Sequence, residues 1–141
     1  MNITVETKDL FTVPQGYYLA HCISADFALG AGIAKTFDNL YNMRYKLFSF
    51  YDNYQFSGGD ALVIDNVFNL VTKNKCYHKP TYQSLREALE TMKYIMADLE
   101  ITKLAMPRIG SGLDRLNADM VYDIICEVFE NTDVEILICE I

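Results

Sequence analysis

The chain has 141 residues, is 51% hydrophobic and 22% charged, and carries a net charge of −7. That length and apolar content fit one folded domain with a real core and exclude a disordered chain. The acidic balance argues against sequence-independent nucleic-acid binding, which needs a surplus of Lys and Arg on one face.

The N-terminal stretch MNITVETKDL has no basic-then-apolar signal pattern, and residues 2–7 alternate as a first strand. YYLAHCIS, residues 17–24, is apolar and β-prone and reads as a central strand. ADFALGAG follows, then a helical segment from Ile33 through Tyr41 to Phe50, with a weak stretch at DNLYN and a stop at SGGD, residues 57–60. ALVI and VFNLVTK read as neighbouring strands turning at Asp65-Asn66.

NKCYHKPT is a loop, because Pro80 disfavours helix at Lys79, and Thr81 can cap the helix that follows. Leu85, Ala88, Leu89, Met92, Ile95, Met96 and Leu99 give that helix one apolar stripe. A strand over residues 103–106 enters MPRIGSGLDRL. Asn117 caps a last helix through Val121, Ile124, Ile125, Val128 and Phe129, and VEILICEI closes the chain as a strand. The order β-β-α-β-β-α-β-α-β predicts one α/β domain over residues 1–141, with helices on both faces of a mixed sheet.

In such sheets ligands collect beyond the carboxyl ends of central strands. Two loops qualify, ADFALGAG and GSGLD, and together they hold four of the seven glycines. Gly30 and Gly32 stand before a helix, where backbone N–H groups and the helix dipole favour an anion. The dinucleotide pattern GxGxxG/A fails at Lys35, and no GK[ST] of a Walker loop is present. With Gly110-Ser111-Gly112 added, two facing cradles suit a diphosphate.

Taken singly, these features have plainer readings. Gly30 and Gly32 could form only a tight turn, and Asp114-Arg115 could be a surface salt bridge. Lys73 could be a solvated strand end, Tyr82 a packed helix start, and His78 a loop residue. If VFNLVTK runs parallel beside the glycine-loop strands, however, Lys73 and Asp114 flank one anion pocket. The four cysteines and two histidines are scattered, so no metal site is expected. Cys126 and Cys139 read as small core residues.

Taken together the segments resemble the macrodomain family, and most closely its terminal ADP-ribose protein glycohydrolase branch, with the DNA-deribosylating macrodomains of toxin–antitoxin pairs as relatives. The motifs are KDLF at Lys8 to Phe11, LAHCIS at Leu19 to Ser24, GAGIA at Gly30 to Ala34, LVTK at Leu70 to Lys73, HKPTY at His78 to Tyr82 and MPRIGSGLDRL at Met106 to Leu116. The resemblance implies a three-layer α/β/α fold around a central mixed sheet. It implies that Lys73 is the nucleophile and Asp114 the catalytic acid–base.

It further implies that Asp9 and Leu10 help hold adenine, and that Ser24, Gly30, Gly32 and Ile33 approach the diphosphate and distal ribose. Pro107, Arg108, Ile109, Gly110, Ser111, Gly112 and Leu113 lie opposite, and His21 and Thr72 also join the ADP-ribose site. Ser24-Ala25-Asp26 stands where other branches place an asparagine used in catalysis, so their mechanism is not implied. The expected activity is hydrolytic removal of mono-ADP-ribose from acidic side chains or nucleobases, without a cofactor. The alternatives are O-acetyl-ADP-ribose deacetylation and a non-catalytic ADP-ribose reader. Expected partners are ADP-ribose and ADP-ribosylated proteins or nucleic acid, with no membrane, for a cytoplasmic monomer.

Overall fold

The computed structural model describes residues 1–52 and 55–141. A six-stranded sheet is built from β1 (Asn2–Thr7), β2 (Tyr18–Ser24), β3 (Ala61–Ile64), β4 (Val67–Lys73), β5 (Lys103–Met106) and β6 (Glu135–Glu140), in the order β1-β6-β5-β2-β4-β3. All neighbours are parallel except β3 and β4, which form the hairpin around Asp65 and Asn66. The inner strands are apolar along nearly their whole length because helices cover both faces.

Helices α1 (Gly32–Tyr41) and α2 (Met43–Tyr51) cover one face. There Phe37, Met43 and Leu47 pack on Leu19, Ile23, Val67 and Val71. Helices α3 (Tyr82–Asp98) and α4 (Ala118–Val128) cover the other, with Leu85, Leu89, Met92, Ile125 and Phe129 against Phe68, Leu70, Leu104 and Ile136. The three-layer architecture expected from the sequence is present.

Four expectations change. The single helix from Ile33 to Phe50 is two helices, because Asn42 adopts a left-handed conformation with φ 54°. Asparagine tolerates that region. Asp38 rebuilds the next helix start, its Oδ1 accepting the Arg44 N–H at 2.9 Å. The helix pattern also ends at Tyr51 rather than continuing toward SGGD, and residues 53 and 54 of that stretch lie outside the described residues. Leu99 is not part of the buried stripe; it caps α3 and is exposed. Cys126 is half-buried, whereas Cys139 is a core residue.

Other local expectations hold. Thr81 Oγ1 accepts the Ser84 N–H, Asn117 Oδ1 accepts the Met120 N–H, and Tyr82 packs against the core. Among the described residues no helix is long and apolar enough to cross a membrane.

The topology opens a cleft. β2 and β5 pair only through Tyr18 with Leu104 and Leu19 with Ala105, so beyond those residues they separate toward their carboxyl ends. The chain leaves β2 toward β3 and β4 on one side and returns through α3 to β5 on the other. This is the switch point at which open α/β sheets bind ligands.

Candidate active site

A cavity of about 1270 Å³ occupies this cleft. It runs along the carboxyl ends of the strands, from Asp9 after β1 and Glu140 in β6, past the loops after β5 and β2, to Lys73 at the end of β4. That volume exceeds the 300 to 1,000 Å³ or so of ordinary small-molecule pockets. It suits an elongated ligand.

The wall built by the loop after β2 has the geometry that suits an anion. Ala31 precedes α1 and supplies no side-chain cap, whereas α3 and α4 are capped by Thr81 and Asn117. The first-turn N–H groups of α1 are thus left for a ligand, and Gly32, Ile33 and Ala34 line the cavity. Opposite, the N–H groups of Gly112, Leu113 and Asp114 find no acceptor among the described residues. The loop is fixed instead by Leu116 N–H to Gly110 O at 2.7 Å and Ser111 N–H to Arg108 O at 3.2 Å.

The glycines divide into two kinds. Gly32 and Gly110 have φ of 60° and 71°, and a Cβ on either would press on Leu113 or Leu116. Gly30 and Gly112 face no such demand, since a Cβ would meet only Ala28 O at 3.9 Å at the first and nothing at the second. Both line the cavity, so a missing side chain there keeps space open for a ligand rather than relieving the fold.

At the β4 end Lys73 meets Asp114. Lys73 Nζ donates to Asp114 Oδ1 at 2.7 Å, and both side chains are 16% exposed. Asp114 therefore pairs with Lys73, 41 positions away, and not with its neighbour Arg115, which is exposed. Two devices place Lys73. The parallel register of β2 and β4 brings its strand beside the cleft, and an irregularity after Ile23 skips Thr72 so that Ser24 stands opposite Lys73. Such bulges re-aim side chains next to sites.

The structure brings nearly all the sequence-predicted residues to this cavity. Asp9, Leu10, Ser24, Gly30, Gly32, Ile33, Lys73, Pro107, Arg108, Ile109, Gly110, Ser111, Gly112, Leu113 and Asp114 line it. Asp9 caps a 3-10 turn over Leu10–Thr12, accepting the Phe11 N–H, and Arg108 Nε donates to Glu140 Oε2 at 2.9 Å. His21 and Thr72 are not on the wall. His21 lies in the core, stacked on Phe37 with ring centroids 4.0 Å apart, and its Nε2 is 2.6 Å from Asn69 Oδ1. Burial pushes its pKa down to about 4, against the opposing bond to Asn69. Thr72 is buried, with its carbonyl accepting Ser84 Oγ–H.

Strand parity explains the exchange. Leu19, His21 and Ile23 face α1 and α2, while Ala20 and Cys22 face the other layer. Cys22, not His21, reaches the cavity, together with Ile23 and Ser24 at the carboxyl end of β2. Burial first, and then the Asp114 carboxylate, push the Cys22 thiol up to about 12. It stays protonated at neutral pH and is a poor nucleophile. Cys76, Cys139 and Glu140 also line the cavity without having been singled out as site residues.

Comparison with known proteins agrees with this geometry. No model of a known protein family matches the sequence. The chain is 43% identical over 140 residues to the ADP-ribose glycohydrolase OARD1 of Bos taurus and 41% identical to that of Homo sapiens, covering 96% of this chain and 90% of each relative. Among solved structures, the macrodomain of Thermus aquaticus DarG superposes with a TM-score of 0.87 at 21% identity, covering 99% of this chain and 98% of that one. Thermosipho africanus DarTG in complex with ADP-ribose gives 0.82 at 15% identity, covering 99% of this chain and 42% of that one. With its mixed sheet, its cleft between two glycine loops and relatives of this identity along nearly its whole length, the chain belongs to the macrodomain family, in the branch of the ADP-ribose glycohydrolases.

Proposed function

We propose that the protein is a mono-ADP-ribosyl hydrolase that uses Lys73 as nucleophile and Asp114 as acid–base. The observation that carries the reading is the Lys73–Asp114 contact of 2.7 Å on the wall of a cavity whose other parts suit a diphosphate. With the diphosphate between the α1 N-terminus and the GSGLD loop, and adenine toward Asp9 and Leu10, the distal sugar falls beside Lys73.

The chemistry balances without further groups. Asp114 takes a proton from Lys73, and the freed amine attacks C1″ of the ADP-ribosyl ester. The C1″–O bond breaks and the acceptor leaves as a carboxylate, a good leaving group. Asp114 passes its proton to the departing acceptor, then takes one from water, which attacks C1″ while the C1″–N bond breaks. It finally returns that proton to the freed amine. Binding of the adenosine diphosphate portion supplies positioning, since it fixes C1″ against the amine before reaction.

The acceptor in this reading is an acidic protein side chain, and the net charge of −7 favours it over a nucleic acid. The enzyme acts as a cytoplasmic monomer. Turnover of a mono-ADP-ribosylated glutamyl peptide, an ADP-ribosylated oligonucleotide and O-acetyl-ADP-ribose, measured side by side, tests the reading. Lys73→Ala should keep ADP-ribose affinity and lose turnover of the peptide by at least about a thousandfold. Residual hydrolysis near the parent rate would reduce Lys73 to an electrostatic contact.

A further inference from the structure

Asp26 is a carboxylate beside the cavity that the reaction above does not use. It is not on the cavity wall. Its oxygens gather three donors: Oδ1 accepts Ser24 Oγ–H at 2.5 Å and the Ala28 N–H at 3.3 Å, and Oδ2 accepts the Cys76 N–H at 3.0 Å. These come from the end of β2, from the loop that leads to Gly30 and Gly32, and from the loop three residues past Lys73. The backbone makes a parallel link, with Ala25 N–H donating to Lys73 O at 2.9 Å.

The loop held this way is strained. Phe27 and Leu29, both buried, have φ of 54° and 43°. Such conformations persist where the surroundings fix them, and the Ala28 N–H held by Asp26 lies between the two.

The direction of the Ser24 bond has a chemical consequence. An ionised carboxylate only accepts hydrogen bonds, so the Ser24 hydroxyl proton is committed to Asp26. Partial burial opposes ionisation of Asp26, but the bonds from Ser24, Cys76 and Ala28 hold its carboxyl below the usual range. Ser24 lines the cavity with only lone pairs left for a ligand. It can accept from a sugar hydroxyl. It cannot donate to a phosphate oxygen, which has no proton to offer in return.

We infer that Asp26 is a positioning residue for the sugar next to Lys73: it locks Ser24 as an acceptor for a ribose hydroxyl and ties the glycine loop to the backbone after Lys73. Naming that sugar as the distal ribose rests on the function proposed above. The locked hydroxyl does not.

The test measures ADP-ribose and ADP affinities by calorimetry, with kcat and KM on a mono-ADP-ribosylated glutamyl peptide, for the parent, Asp26→Asn, Ser24→Ala and the double variant. Asparagine keeps the shape but offers one acceptor oxygen, so its NH2 confronts either the Ser24 hydroxyl or the Cys76 N–H. Ser24→Ala should lose about tenfold in ADP-ribose affinity and leave ADP affinity unchanged. Asp26→Asn, which also loosens the glycine loop, should lose at least about tenfold for ADP-ribose and clearly less for ADP. The double variant should be no worse than about twofold beyond the weaker single, because Asp26 acts through Ser24.

Equal losses for both ligands, or fully additive losses, overturn the inference. If Asp26→Asn unfolds, Ser24→Ala decides alone, since it removes one hydroxyl: a loss of ADP affinity would mean the hydroxyl serves the diphosphate. Absence of peptide hydrolysis in the parent, with the ligand differences intact, would remove the hydrolase reading and leave the role of Asp26 standing.

Discussion

Acidification should destabilise this protein through His21, in a window set by its burial. The residue is 0% exposed and its Nε2–H faces Asn69 Oδ1, because the Asn69 amide nitrogen is spent on Leu62 O. Nδ1 has no partner among the described residues, so a proton added there would be buried without an acceptor. Burial therefore lowers the pKa from 6.5 to about 4. Between those values the unfolded chain binds a proton that the folded chain refuses, so stability is full above pH 6.5 and falls as the pH drops through about 4. At about 1.4 kcal/mol per tenfold difference in proton affinity, the loss is about 3 kcal/mol.

Urea denaturation of the parent and of His21→Gln at pH 7, 5.5 and 4 measures it. Glutamine can still donate to Asn69 and has no charge to gain. Other carboxylates titrate in both proteins and cancel in the difference. The stability gap between the two should shift by about 3 kcal/mol toward the variant on going from pH 7 to 4. Parallel pH profiles would falsify the core assignment of His21 and return it to a solvated or ligand-facing position.

Asp114→Ala should bind ADP-ribose normally and turn over poorly, and should accumulate an ADP-ribosyl adduct on Lys73, seen by intact mass and absent from the Lys73→Ala, Asp114→Ala double variant. Neither adduct nor slowed turnover would leave Asp114 as only an ion-pair partner. Gly112→Val should weaken ADP-ribose binding at an unchanged melting temperature, because its Cβ meets nothing in the protein. Gly110→Ala should instead lower stability by about 1 kcal/mol or more, through its φ of 71° and a Cβ 3.0 Å from Leu116. Asn117→Ala should cost about 1 kcal/mol in denaturant titrations by removing the cap of α4, with ligand affinity unchanged.

Much of the fold was legible because its signals are local. The stripe from Leu85 to Met96, the caps Thr81 and Asn117, and the apolar strands each follow from neighbours within one turn or one pleat. Alternation of those elements is enough to imply layers. The two glycine loops were visible for the same reason, since an unneeded glycine is conspicuous in the chain itself.

What needed the tertiary structure depends on register and strand order, which no short window contains. DNLYN reads in the sequence as a weak stretch within one helix, and the packing of Phe37, Met43 and Leu47 on one sheet face goes with a full break at a left-handed Asn42. The motif LAHCIS offers His21 and Cys22 equally, and the pleat decides that His21 is buried under α1 while Cys22 reaches the cavity. Asp114 sits beside Arg115 in sequence, yet it meets Lys73 because β2 and β4 are parallel neighbours and a bulge after Ile23 turns the strand end inward. Charge pairing follows distance in space, and the sheet, not the sequence interval, sets that distance.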